Sequence, residues 1–246
     1  MSGAGALRAL HVPGDPLVLP NAWDAGTARL VEQAGFAAVA TTSSGVADAL
    51  GYADGEQTPV DEMLAAVARV ARAVEVPVTA DMEAGYGLDG AELAHRVTAA
   101  GAVGINLEDS DHPNHPALVP AERHAARIAR IKEAADIVVN ARIDVHLRGG
   151  ETRAALDRAR RYRDAGADCV YPIGVTDEAT IGAFCELGLP VNVLLLPGAP
   201  SIARLAELGV ARVSLGAILH AEVIHALRAR LSGLAGDSSA ARLSRR

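Results

Sequence analysis

The chain has 246 residues, half of them apolar, and a formal net charge of −7. That length and apolar share support one substantial core, the size of a single α/β barrel. An acidic balance with no basic block argues against nucleic acid or an anionic membrane as the main partner, and two cysteines, Cys169 and Cys185, make no disulfide framework and fit a reducing compartment.

In chain order, the opening MSGAGALRAL lacks the apolar stretch of a signal peptide and no apolar run approaches bilayer length, which predicts a cytoplasmic protein. Strands are predicted over 17–22 (LVLPNA), 37–43, 76–83, 104–109, 137–144, 169–174, 190–196 and 212–216. Amphipathic helices are predicted between them, over 60–74, 90–100, 120–135 and 151–165. A short pattern recurs in EQAGFAAVA, TAAGAVGIN, RDAGADCVY and AELGVARVS: a helix end, a glycine just past it, then a β-rich run. Strands alternating with helices predict a parallel (β/α)8 barrel of the TIM type. A doubly wound sheet is the rival, but the first strand ends in PNAWDAG, which fits a glycine-rich phosphate turn poorly. One domain is expected over 1–231, followed by a flexible tail over 232–246. Near its end, Ile218, Leu219, Val223, Ile224, Leu227 and Leu231 recur at helical spacing.

A barrel keeps its chemistry at the C-terminal ends of its strands. There stand Ser43, Ser44 and Gly45, then Asp81 and Glu83, then Glu108 and Asp109, then Arg142 and Asp144, with Asn192 inside the seventh strand. Asp81 and Glu83 share one face of their strand, and two like charges side by side are costly without a cation between them. Acidic oxygen ligands with no His/Cys set suit a hard ion, Mg2+ or Mn2+. Arg142 can grip a substrate carboxylate as a fork. The amides of Ser44, Gly45 and Val46 can cradle another carboxylate or an oxyanion.

The plainer alternative is that an acid at a strand end is a helix cap or a loop charge. It stands for Asp24, Asp109 and Asp144, and is weaker for Asp81, Glu83 and Glu108, which arise together on adjacent strands. Arg142 could merely pair with these acids. His112 and His115, in DSDHPNHP, read as solvated loop residues rather than zinc ligands, because no third His or Cys stands nearby. The single lysine, Lys132, reads as mid-helix, which argues against Schiff-base and pyridoxal mechanisms.

Five segments, in this order and spacing, resemble the isocitrate lyase/phosphoenolpyruvate mutase superfamily from about Leu17 to Leu231. They are SSGVADALGYAD (43–54), ADMEAGYG (80–87), INLEDS (105–110), NARID (140–144) and LAELGVARVSLG (205–216). The resemblance implies a Mg2+-binding barrel that makes or breaks C–C or P–C bonds beside a 2-oxo or 2-hydroxy carboxylate, through a metal-bound enolate. It implies that Asp81 ligates the metal directly, while Asp54, Glu83 and Glu108 hold its waters. Ser43, Ser44, Gly45, Val46, Arg142 and Asn192 would then bind substrate, with Arg142 and Glu108 beside the reacting atoms. Glu83 stands where the family commonly has Asp. The resemblance also implies a C-terminal helix exchanged within a homodimer or homotetramer.

The chain departs from the family after strand four. Family lyases carry Lys-x-Cys-Gly-His there and mutases a lysine, whereas EDSDHPNHPALVP has neither. Residues 109–119 are predicted to form a mobile lid, in which His112 and His115 are the candidate proton donors. The expected function is a Mg2+-dependent lyase that cleaves a C–C bond beside the carboxylate of a small acid. One alternative is a P–C mutase or hydrolase of the phosphonopyruvate or carboxyphosphonoenolpyruvate type, for which only Arg148 and the lid histidines add positive charge near the mouth. The other is a barrel that binds a dicarboxylate without turning it over.

Overall fold

Pro20 has no N–H to give a sheet, and it divides the first predicted strand into β1 (Leu17–Leu19) and β2 (Asn21–Ala22). The computed structural model describes residues 3–114 and 116–236. The remaining strands are β3 (Val39–Thr41), β4 (Val78–Asp81), β5 (Gly104–Glu108), β6 (Val138–Ile143), β7 (Cys169–Pro172), β8 (Asn192–Leu194) and β9 (Arg212–Ser214), each inside its predicted run. All pair in parallel, in the orders β1-β9-β8 and β2-β3-β4-β5-β6-β7. A Val170–Val191 bridge joins β7 to β8, and the chain through Pro20 joins β1 to β2, so the sheet closes into the barrel.

The predicted helices form as α4 (Val60–Ala71), α5 (Gly90–Ala99), α6 (Ala121–Ala134) and α7 (Thr152–Asp164). Between and around them lie α2 (Ala25–Gln33), α8 (Glu178–Cys185) and α9 (Ile202–Glu207). Asp24 is the N-cap of α2, accepting from the Thr27 N–H at 2.7 Å, the plainer role left open for it. The glycine of the recurring pattern ends α2, α5, α7 and α9. Gly35, Gly101, Gly166 and Gly209 all have φ between +88° and +96°, where a Cβ is disfavoured. The core forms where apolar stripes such as Met63, Val67 and Val70 of α4 press on the strands.

Three elements differ from expectation. Residues Gly3–Ala9 form α1, whose Ala4 and Leu7 plug the N-terminal end of the barrel against Leu17, Leu19, Ala38, Ala40 and Val138. Residues Ser43–Leu50, of which Ser43, Ser44 and Gly45 are expected at a strand end, form the helix α3. The last helix, α10 (Ile218–Gly236), runs beyond the predicted domain end at residue 231; the rest of the expected tail, 237–246, lies outside the described residues. Among the described residues no helix is long and apolar enough to cross a membrane. Cys169 is buried and Cys185 half-buried, both as free thiols.

Candidate active site

Asp81 ends β4, and its carboxylate is held from two sides. Ser43 donates to Oδ2 through its N–H at 3.0 Å and its hydroxyl at 2.8 Å, and Asn106 donates to Oδ1 at 2.9 Å. Three donors on one carboxylate fix its direction. It faces a cavity of about 240 Å³ lined also by Ser44, Asp54, Arg142, Tyr171, Arg212 and Ser214. Asp54 lies on the loop after α3; burial raises its pKa, and the charge of Asp81 raises it further.

The first turn of α3 forms one wall. Thr42, its N-cap residue, makes no side-chain cap, and the N–H groups of Ser44 and Gly45 have no partner among the described residues. Val46 is different from the expectation: its N–H already bonds to Thr42 O at 3.0 Å, because it has entered the helix ladder. Gly45 is required by packing, since a Cβ there would lie 2.7 Å from Thr42 Cγ2.

Arg142 lines the cavity with its fork already engaged. Nε and Nη2 donate to Asp144 at 2.7 and 2.9 Å, and Nη1 lies 2.6 Å from Glu108 Oε2. Asp144 in turn accepts from Ser110 Oγ at 2.6 Å. Asp109 stands behind, accepting from the Asp144 N–H at 2.8 Å, Tyr162 OH at 2.7 Å and Arg158 Nη1 at 2.9 Å. Asp109 and Asp144 are therefore framework that aims Arg142.

Glu83 does not line this cavity. Its backbone takes φ +48°, and its carboxylate accepts from the Glu56 N–H at 2.6 Å and from Tyr86 OH at 2.5 Å. Glu56 and Tyr86 also have positive φ, +60° and +54°, and the Tyr86 N–H donates back to Glu56 Oε1. Three non-glycine residues in the left-handed region, bonded to one another, form a strained clasp beside the site. Burial pushes the Glu83 pKa up to about 7, with the charges of Asp81 and Asp54 adding to the shift against the Tyr86 bond.

Asn192 is also set back, buried, with its amide meeting Ser214 Oγ at 3.0 and 3.1 Å; Ser214 is the residue that reaches the cavity. On the lid, His112 lies in a short 3-10 turn, His112–Asn114, with Nε2 2.8 Å from Glu108 Oε1 and 3.9 Å from Glu83 Oε2. The Glu108 contact raises its pKa. His112 and Glu108 line a second cavity of about 500 Å³ beneath the lid. The lid is tied at its base by the Ser110–Leu118 bridge and by Asp111 N–H to Ala117 O at 3.0 Å; His115 lies outside the described residues. Arg148 donates to Ser110 Oγ at 3.0 Å and does not reach the first cavity. Lys132 is at the opposite end, bonded to Asp168 and Ile137 O.

Sequence reasoning missed Arg212, Tyr171, Ser214 and Asn106. Their signal is the alternation of β9, β7 and β5, in which every second residue faces the barrel interior. Among the described residues no three His, Cys, Asp or Glu side chains converge to enclose a metal. Asp81 and Asp54 facing one cavity suit instead an ion that keeps most of its waters, as Mg2+ does.

The sequence profile of the phosphoenolpyruvate phosphomutase family matches residues 7–235. An uncharacterised Mycobacterium tuberculosis protein is 37% identical over 221 residues, covering 88% of this chain and 84% of its own. The 2-methylisocitrate lyase of Bacillus subtilis is 30% identical over 200 residues, covering 78% of this chain and 66% of its own. A Burkholderia cenocepacia crystal structure, provisionally described as a phosphonomutase, is 40% identical with a TM-score of 0.87, covering 94% of this chain and 99% of that one. A phosphonopyruvate hydrolase solved with oxalate and Mg2+ is 24% identical; at a TM-score of 0.85 over 96% of this chain and 88% of that one, it shares the fold.

Proposed function

The chain belongs to the isocitrate lyase/phosphoenolpyruvate mutase superfamily, and we propose that it is a lyase cleaving the C–C bond beside the carboxylate of a small 2-oxo or 2-hydroxy acid. The observation that carries this reading is one cavity in which Asp81 and Asp54 share the lining with Ser44, at the first turn of α3, whose own amide and that of the next residue, Gly45, have no partner among the described residues. Mg2+ would be held by Asp81, with Asp54 toward its waters; Glu108, paired with Arg142, and Glu83, bonded to Glu56 and Tyr86, are set back from that cavity. When bound, it supplies Lewis-acid polarisation of the substrate's 2-oxygen.

The rest is work for the chain's own residues. The open amides at the start of α3 carry the positive end of the helix dipole and receive the substrate carboxylate. Arg142, fixed by Asp144 and Glu108, offers its remaining N–H bonds to charge that grows on the substrate as the C–C bond breaks. The lid shields that charge from water, and His112, whose pKa Glu108 raises, is the described lid residue able to return a proton.

The test is a panel of oxaloacetate, methylisocitrate, isocitrate, malate-type acids and phosphonopyruvate, assayed with Mg2+ for pyruvate or glyoxylate. Cleavage of a carbon acid that stops in excess EDTA is the expected result. Turnover of phosphonopyruvate alone would favour P–C chemistry, which has its own support in a second guanidinium, Arg212, at the cavity. No turnover of any acid, with binding retained, would leave a non-catalytic dicarboxylate barrel.

A second copy of the chain is the proposed cover for α10, the helix expected to be exchanged between subunits, where Val223, Leu227, Leu231 and Leu234 lie exposed. Light scattering at micromolar concentration should give a dimer or tetramer; a monomer would overturn the assembly.

A further inference from the structure

Arg212 is an arginine without a counter-ion among the described residues, in the interior of an acidic protein. It stands on β9 with the same inward face as Ser214, is 2% exposed, and lines the cavity that holds Asp81 and Arg142. Its Nε lies 3.3 Å from Ser214 Oγ, and its Nη1 has no hydrogen-bond partner among the described residues. The other shielded guanidiniums are engaged: Arg142 by Glu108 and Asp144, Arg158 by Asp109 and Tyr162, Arg127 by the carbonyls of Ala84, Gly85 and Leu88. A buried cation with no anion is expensive to keep. Burial accordingly lowers the Arg212 pKa, while the charge of Asp81 acts the other way through space. Tyr171, from β7, lines the same inner wall.

Resting on the reading of this cavity as a carboxylate site, we propose that Arg212, with Tyr171 beside it, forms a second anion subsite that selects substrates bearing a second acid group. One acid group sits at the α3 amides near the mouth. The other reaches inward to Arg212, whose unpartnered Nη1 it satisfies. An acid with a single carboxylate leaves that guanidinium bare, and so binds without its contribution. The second group is an oxyanion, carboxylate or phosphonate; one guanidinium receives either.

The competing role is electrostatic only: Arg212 offsets Asp81 and contacts no ligand. Calorimetry with Mg2+ separates the two, using pyruvate as the one-acid probe and malate and phosphonoacetate as the two-acid probes. Arg212→Met should weaken both two-acid probes at least tenfold and change pyruvate less than twofold. Arg212→Lys should recover part of the loss. Tyr171→Phe, which preserves the wall's shape, should weaken the same probes by a smaller factor. The melting temperature of ligand-free Arg212→Met should hold or rise, because the substitution removes an uncompensated buried charge. Equal losses for all three probes, or none, overturn the subsite while leaving the cavity's role intact. Loss confined to malate or to phosphonoacetate identifies which oxyanion the subsite takes. A wild-type chain that binds none of the probes overturns the carboxylate site, and the subsite with it.

Discussion

The two ends of the barrel hold their carboxylates in opposite ways. At the N-terminal end Asp168 accepts from Arg8 Nε at 2.7 Å, Lys132 Nζ at 2.7 Å and the Val139 N–H at 2.8 Å. One acid there has more positive partners than it needs. At the C-terminal end lie Asp54, Asp81, Glu83, Glu108 and Asp144, of which Arg142 pairs with Glu108 and Asp144, and burial drives the pKa of Asp54 and Glu83 upward. A fold does not gain stability by burying carboxylates in excess of cations. Charge balance, and not the presence of an acid, separates a carboxylate that serves the fold from one kept for a ligand.

The largest effect is expected at the mouth. Asp81→Ala should abolish Mg2+-dependent turnover with little change in melting temperature, because the carboxylate borders a cavity and leaves no apolar void. Activity assays beside circular dichroism check this. Full activity in the variant would break the comparison at its strongest point.

His112 sharpens it next, since its Nε2 lies 2.8 Å from Glu108 on the acidic rim and that contact raises its pKa. His112→Gln should lower kcat roughly 10²-fold, the low end for general acid catalysis. A loss within about threefold would make the lid a shield only, with the proton drawn from water. At the base the expectation reverses. Asp168→Ala leaves Lys132 and the Val139 N–H short of an acceptor and should cost about 2 kcal/mol in a urea titration, discounted for the exposed Arg8. Turnover per folded molecule should be unchanged. A folded Asp168→Ala that is inactive would mean that the base takes part in the chemistry.

Much of this contrast was legible in the chain. Asp81 and Glu108 end apolar runs, and a parallel barrel places every such end at one mouth. What stayed hidden depends on depth and on helix entry. Val46 lost its expected amide role because α3 begins at Ser43, and TTSSGVADAL is too short and too rich in small residues to announce a helix. Glu83 turned away through a positive φ that only Gly or Asn would have signalled. Asn192 and Ser214 exchanged places in depth, because the register of β8 with β9 decides which of two inward polar groups reaches the cavity. Arg212 was overlooked because an arginine inside a β-rich run suggests an edge, whereas here it faces the barrel interior.

The smallest effect concerns the shell between the two ends, where histidines are buried without charge. His124 on α6 is 2% exposed, packs at a tilt against Tyr162 with ring centroids 4.8 Å apart, and leaves Nε2 without a partner among the described residues. Burial pushes its pKa down to about 3, helped by Arg127 and Arg158, and burial likewise takes His11 down to about 4. In the unfolded chain each histidine takes up a proton near pH 6.5. Between that pH and the folded value the unfolded state binds more protons, so each histidine makes stability fall as pH falls, by about 1.4 kcal/mol per pH unit. Glu83, raised to about 7, works in the opposite sense, since the folded state holds its proton where the unfolded state has lost it. The overall slope is therefore mixed, and the difference between two chains isolates one group. His124→Gln should be less stable than the wild type at pH 7.5, where packing alone is lost. The gap should then narrow by roughly 1.4 kcal/mol for each unit between pH 6 and pH 4.5, because only the wild type still carries the histidine's penalty. Urea midpoints across that range measure it. A gap that stays constant would mean that His124 is protonated in the folded protein, and that the shell around the barrel carries charge as the mouth does.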